Sequence, residues 1–227
     1  MEQAIAQKKK AKGKDMPNKN VEKRSYNFDI RASMDDERGA IITGRPIVYN
    51  SMTDLGWFNE VIEVGALNET DLKDVRFLVN HDTKMIPLAR SRRNNGNSTM
   101  RMTPDAMGLN LDYVSLDVEN NMTAKALYSA VERGDLSGMS FMFSIDEEKW
   151  ENLESDHPTR RILKIGSVYE VSAVTWPAYE TTEINARSKE ALDNARSALE
   201  RARQQNAKSV DTDLEKEKLA LNKKGGH

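Results

Sequence analysis

Two strand-length runs, Met139–Trp150 and Arg160–Trp176, flank the polar stretch Glu151–Thr159, and this long hairpin limits the available folds more than any other feature. Within its first arm Phe141, Phe143 and Ile145 alternate with Met142, Ser144 and Asp146, the two-residue period of a strand. A helical segment, Met122 to Gly134, leads into it through Asp135-Leu136-Ser137. Met122, Ala126, Leu127, Ala130 and Val131 recur at helical spacing, and Gly134 suits a C-cap. Gly138 then lets the backbone bend sharply just ahead of Ser140. A nucleophile could use that position, and so could an ordinary serine at a strand edge.

The other runs are also strand-like. Tyr26 to Ile30 alternates, and Gly39 to Tyr49 reads as a strand broken or bulged near Gly44 and Pro46. Trp57 to Val64 is a further short alternation, and Val75 to Asp82 is a strand that ends on His81. Asn95-Gly96 marks a turn in the basic loop Arg90–Ser98, and Thr99–Met102 and Gly108–Val114 pair beyond it. Many strands, one central helix and polar ends point to a compact, mostly-β domain with helices, an α+β fold.

The ends differ in composition. Residues 1–24 carry eight basic against three acidic residues and little that is large and apolar, so a disordered basic arm is expected. The folded domain is expected over residues 25–186. Residues 187–227 form a charged tail, in which Leu192, Ala195, Leu199 and Ala202 make a narrow helical stripe.

Composition then narrows the chemistry. The 227 residues contain no cysteine, so disulfides, thiolate metal sites and cysteine catalysis are excluded. Three scattered histidines do not suggest zinc, and no metal or other cofactor is expected. A formal charge of −2 argues against a general nucleic-acid-binding surface, and no run is long and apolar enough for a membrane helix. The N-terminus has no apolar h-region, so no secretory signal is expected.

Serine hydrolysis requires a hydroxyl, a base and a group that orients the base. His157 sits in the polar loop Asp156-His157-Pro158 and reads as solvated, whereas His81 ends an apolar strand. Asp82 follows His81 directly, so in an extended strand the two side chains point to opposite faces. Glu170 lies in Val168-Tyr169-Glu170-Val171-Ser172-Ala173-Val174, where an acid among apolar and small neighbours needs a partner. A histidine would serve, and so would Arg76 or Arg90.

Four stretches together resemble a known family. They are Gly44-Arg45-Pro46-Ile47-Val48-Tyr49-Asn50, Phe77-Leu78-Val79-Asn80-His81-Asp82, Gly138-Met139-Ser140-Phe141-Met142-Phe143, and Glu170-Val171-Ser172-Ala173-Val174-Thr175-Trp176-Pro177-Ala178-Tyr179. Their order and spacing over Tyr26–Ala186 resemble the prohead (capsid maturation) proteases of tailed phages, which are related to the assembly proteases of herpesviruses. The family usually has glycine where this chain has Met142, and Met85–Arg90 matches only loosely.

The resemblance implies a serine endopeptidase on a small closed β-barrel of the herpesvirus-protease type, with surrounding helices. Ser140 would be the nucleophile, His81 the general base and Glu170 the third member, where the related viral enzymes use a second histidine. It also implies the major capsid protein and a scaffold segment as substrates, together with self-cleavage. The setting would be the assembling prohead in the host cytoplasm, and a homo-oligomer is left open. The competing expectation is a catalytically silent assembly module on the same fold.

Overall fold

The computed structural model describes residues 21–26, 30–92, 97–175 and 189–224. The hairpin that dominates the sequence is also the centre of the fold. Strand β10 (Gly138–Glu151) pairs antiparallel with β11 (Thr159–Val174) along almost its whole length, from Gly138↔Val174 to Glu151↔Thr159. β1 (Val21–Tyr26) lies against the other edge of β10, and β5 (Asn59–Ile62) and β6 (Arg76–Val79) run parallel to β11 at successive places. The short strands β4 (Thr53–Asp54) and β7 (Ala89–Arg90) complete this seven-stranded sheet.

A second sheet has the order β2-β3-β9-β8, formed by β2 (Ile30–Asp35), β3 (Gly39–Val48), β8 (Met100–Asp105) and β9 (Gly108–Ser115). The break expected near Gly44 and Pro46 is present as two register shifts between β3 and β9, while β3 itself runs through. Gly108 must be glycine: with φ at +143°, an added Cβ would lie 2.0 Å from the Ile47 carbonyl oxygen. Pro104 is tolerated in β8 because that strand is at the sheet edge.

The two sheets bury one core containing Ile42, Ile47, Phe77, Leu109, Phe141 and Val171. Truncating either phenylalanine to alanine would cost about 3–5 kcal/mol, as transfer energy plus a residual cavity. Helix α1 (Met122–Glu132) covers this core with Ala124, Leu127 and Val131. Its N-cap, Asn121, accepts from the N–H groups of Thr123 (3.0 Å) and Ala124 (3.2 Å), and Gly134 follows its end at φ +77°.

The mostly-β, α+β class is therefore present, with two helices among the described residues. The strand pairings among those residues make two open sheets rather than one closed ring. Val21–Arg24, assigned from composition to the basic arm, belong to β1, because Glu22 and Arg24 are buried in ion pairs. Helix α2 (Lys189–Lys224) places Ala195, Ala198 and Leu199 in a separate apolar cluster with Leu55, Phe58 and Trp150. Trp176–Tyr179 and residues 1–20 lie outside the described residues.

Candidate active site

Three strands bring the candidate residues together. Ser140 is the third residue of β10, and its partner across the ladder is Ser172 of β11. Glu170 stands two residues before Ser172, so both project from the same face of β11. β6 runs parallel to this part of β11, with Glu170↔Arg76 and Ala173↔Val79 in register. His81 lies two residues beyond the end of β6.

The strand expected to end on His81 stops at Val79 instead. Asn80 and His81 take left-handed backbone angles, φ 51° and 57°, an uncommon conformation for non-glycine residues. Contacts with β11 hold the turn in place. Asn80 N–H donates to the Ala173 carbonyl (2.9 Å), and Asn80 Oδ1 accepts from the N–H (3.0 Å) and hydroxyl (3.2 Å) of Thr175. His81 N–H donates to Ser172 Oγ (3.1 Å). The turn folds the imidazole back over β11 toward β10.

The ring then bridges two groups. Its Nδ1 meets Glu170 Oε1, and its Nε2 lies 2.5 Å from Ser140 Oγ. A carboxylate only accepts, so Nδ1–H donates to Glu170; when the ring is neutral, that tautomer leaves the Nε2 lone pair facing the hydroxyl. Ser172 Oγ–H donates to the other carboxylate oxygen, Oε2, at 2.6 Å. Glu170 thus has a partner for each oxygen while only 2% exposed, which meets the requirement for burying an acid. Ser140 and Ser172 are fully buried, and the His81 side chain is 13% exposed.

The alternatives are placed elsewhere. Asp82 caps its own turn, with Oδ1 accepting from Lys84 N–H (3.0 Å). Because the chain has already turned at Asn80, opposite strand faces do not explain this; the local Asp82 cap does. Arg90 is engaged with Asp74 (2.5 and 2.8 Å), and Arg76 approaches the same carboxylate at 3.6 Å. Of the partners weighed for Glu170, His81 is the one that reaches it. His157 contacts Asn59 (3.2 Å) and Asp54 (3.4 Å), well apart from this group.

A second buried polar cluster adjoins the first. Arg24 of β1 donates to both oxygens of Glu60 on β5, from Nε (2.5 Å) and Nη2 (2.7 Å), and also contacts Glu22. Arg160 of β11 donates to Glu22 (2.8 and 2.9 Å) and Glu148 (2.7 Å). Burial pushes the Glu60 carboxyl up, but the Arg24 and Arg160 charges more than offset it and hold its pKa below the usual value. Burial opposes charge on Arg160 too, and the surrounding Glu22, Glu60 and Glu148 raise its pKa despite that.

Sequence reasoning passed over Glu60, although it sits beside Val61 and Ile62 and carries the same signal that singled out Glu170. Ser172 was passed over too; its signal is its position two residues beyond Glu170, on the same strand face. Among the described residues, no group of three or more His, Asp or Glu converges to hold a metal ion, and no helix is long and apolar enough to cross a membrane.

The family model described as caudovirus prohead serine protease matches residues 19–196, which takes in both buried polar clusters. Comparison with curated proteins and with solved structures finds no match. A match over well more than half of the chain decides its membership: the protein belongs to the caudovirus prohead serine protease family.

Proposed function

We propose that Ser140, His81 and Glu170 are the catalytic triad of an endopeptidase that removes extensions from the capsid protein or its scaffold, and cleaves its own chain. The family sets the process, capsid maturation in the assembling shell. The observation that carries the residue assignment is the continuous line from Ser140 Oγ through the His81 ring to Glu170.

The chemistry is acyl transfer. Ser140 Oγ bonds to the peptide carbonyl carbon as its proton passes to His81 Nε2, and Glu170 stabilises the imidazolium that forms. His81 returns that proton to the leaving nitrogen as the C–N bond breaks. Water then adds to the acyl-enzyme, losing a proton to His81, which passes it to Ser140 Oγ as the ester bond opens and the carboxylic acid product leaves. Ser172 acts as a positioning residue, donating to Glu170 and accepting from the His81 backbone N–H.

The test compares wild type with Ser140→Ala by mass spectrometry over time. Wild type should shorten, whereas the variant should lose roughly 10⁵-fold or more of the cleavage rate and stay full length. Equal fragmentation of the two would refute the assignment. The full burial of Ser140 favours a second reading, a silent assembly module in which α2 makes the contacts. In that case removing the residues after Ser188 would abolish partner binding and Ser140→Ala would change nothing.

A further inference from the structure

A hydrolytic serine must reach a substrate carbonyl, yet Ser140 is fully buried, and β1 lies on the β10 edge beside it. β1 is the terminal strand of its sheet, antiparallel to β10 from Val21↔Ser144 to Tyr26↔Met139. An extended peptide added to a sheet edge would lie in the same way. Ser140 Oγ–H donates to the Arg24 carbonyl oxygen at 2.7 Å. The carbonyl bond is only about 1.2 Å long, so the carbon it holds is no more than about 4 Å from the hydroxyl oxygen.

The side chains of β1 fit the site as closely as its backbone does. Arg24, whose carbonyl faces Ser140, places its guanidinium in a two-point contact with buried Glu60. Glu22, two residues earlier, is held by buried Arg160. Neither Glu60 nor Arg160 belongs to β1, so both would remain as an acidic and a basic seat if another strand replaced it.

We propose that the β10 edge is the substrate cleft and that β1 is its resident occupant. On this proposal Glu60 and Arg160 select a segment with a basic residue at the scissile carbonyl and an acidic residue two positions before it. The inference rests on the protease reading and names its substrate class. It also predicts a latent resting state: the single Ser140 proton is engaged by the Arg24 carbonyl while His81 Nε2 competes for it from 2.5 Å. A substrate strand must exchange with β1 before His81 can take that proton.

The full-length chain and its Arg24→Gln variant decide the matter, using a serine-directed fluorophosphonate and two fluorogenic peptides. One peptide carries Glu-Lys-Arg-Ser and the other Gln-Lys-Gln-Ser. Weakening the Arg24 seat should speed labelling of Ser140 roughly tenfold, the scale of one charge-assisted hydrogen bond. In that variant kcat/KM for the charged peptide should exceed that for the neutral one by about tenfold or more. Adding Glu60→Gln should lower the ratio severalfold, to the share that the Arg160 seat supplies, whereas Glu60→Asp, which keeps the charge, should preserve it.

Equal labelling of wild type and Arg24→Gln would overturn the inference, as would a ratio near one in Arg24→Gln or a ratio unmoved by Glu60→Gln. In each of these cases labelling of Ser140 and cutting of either peptide would leave the protease reading standing. Absence of both labelling and cutting in every variant would remove the protease reading and this inference with it.

Discussion

The two buried polar clusters that meet at β1 solve the same problem in different ways. Around Glu60 and Arg160, three carboxylates (Glu22, Glu60 and Glu148) face two guanidiniums (Arg24 and Arg160), and every fixed charge is paired with a fixed charge of opposite sign. Around Ser140, one carboxylate is satisfied by a hydroxyl and an imidazole, and the line ends in a neutral hydroxyl. The first arrangement has no low-energy way to move a proton, because arginine does not release one. In the second, a histidine stands between an acid and a hydroxyl, the one side chain whose ordinary pKa suits transfer near neutrality. Burial alone therefore does not mark a reactive site; the presence of a group able to exchange a proton does.

The sharpest way to break this contrast is Glu170→Gln. It keeps the shape of the side chain but removes the charge that orients His81, so cleavage should fall roughly 10³–10⁴-fold in kcat with the melting temperature nearly unchanged. An activity close to wild type would remove Glu170 from the triad. Arg160→Met addresses the other cluster. It leaves Glu22 and Glu60 short of positive charge and should cost about 3–5 kcal/mol. That corresponds to a drop of about 10 °C in Tm by calorimetry. A Tm within a degree or two of wild type would show that the cluster is not a structural requirement.

Acid should act on the charge cluster in a definite direction. The folded Glu60 pKa lies below its ordinary 4.5, so its stabilising contribution is fully present above pH 4.5. That contribution is lost as pH falls through the folded pKa. Thermal midpoints should therefore hold level from neutral pH to about 5 and decline below 4.5, and Glu60→Gln should flatten the decline. Asp105, which hydrogen bonds from Arg45 hold at about 2, follows the same sign, but its exposed position makes its share small. The smallest effect belongs to Asp82→Asn, which removes a charge, keeps the oxygen that caps the turn and touches no reacting group. Cleavage should change by no more than about twofold; a loss as large as that of Glu170→Gln would reverse the ranking of the two acids.

Much of the fold is readable from local pattern. The hairpin arms, α1, the β8–β9 pair and the bulge near Gly44 follow from alternation, helical spacing and turn residues within a short window. The same locality explains the error at His81. An apolar run followed by Asn80 and His81 looks extended until the hydrogen bonds from β11 are known, and those bonds hold both residues in left-handed turn geometry. Composition likewise assigned Val21–Arg24 to a solvated arm, because the partners of Glu22 and Arg24 lie on β5 and β11.

By itself, then, the sequence determined a mostly-β domain, the candidate residues Ser140, His81 and Glu170, and a family resemblance carried by four words in order. Each of these depends on residue type and short-range spacing. Tertiary structure decided which acid meets the histidine, 89 residues away, and which carbonyl meets the serine, 116 residues away. Ser140 shows the difference most plainly. Its place at the start of a strand is local information, but its burial under β1 comes from strand pairing, which brings together residues that no sequence window contains.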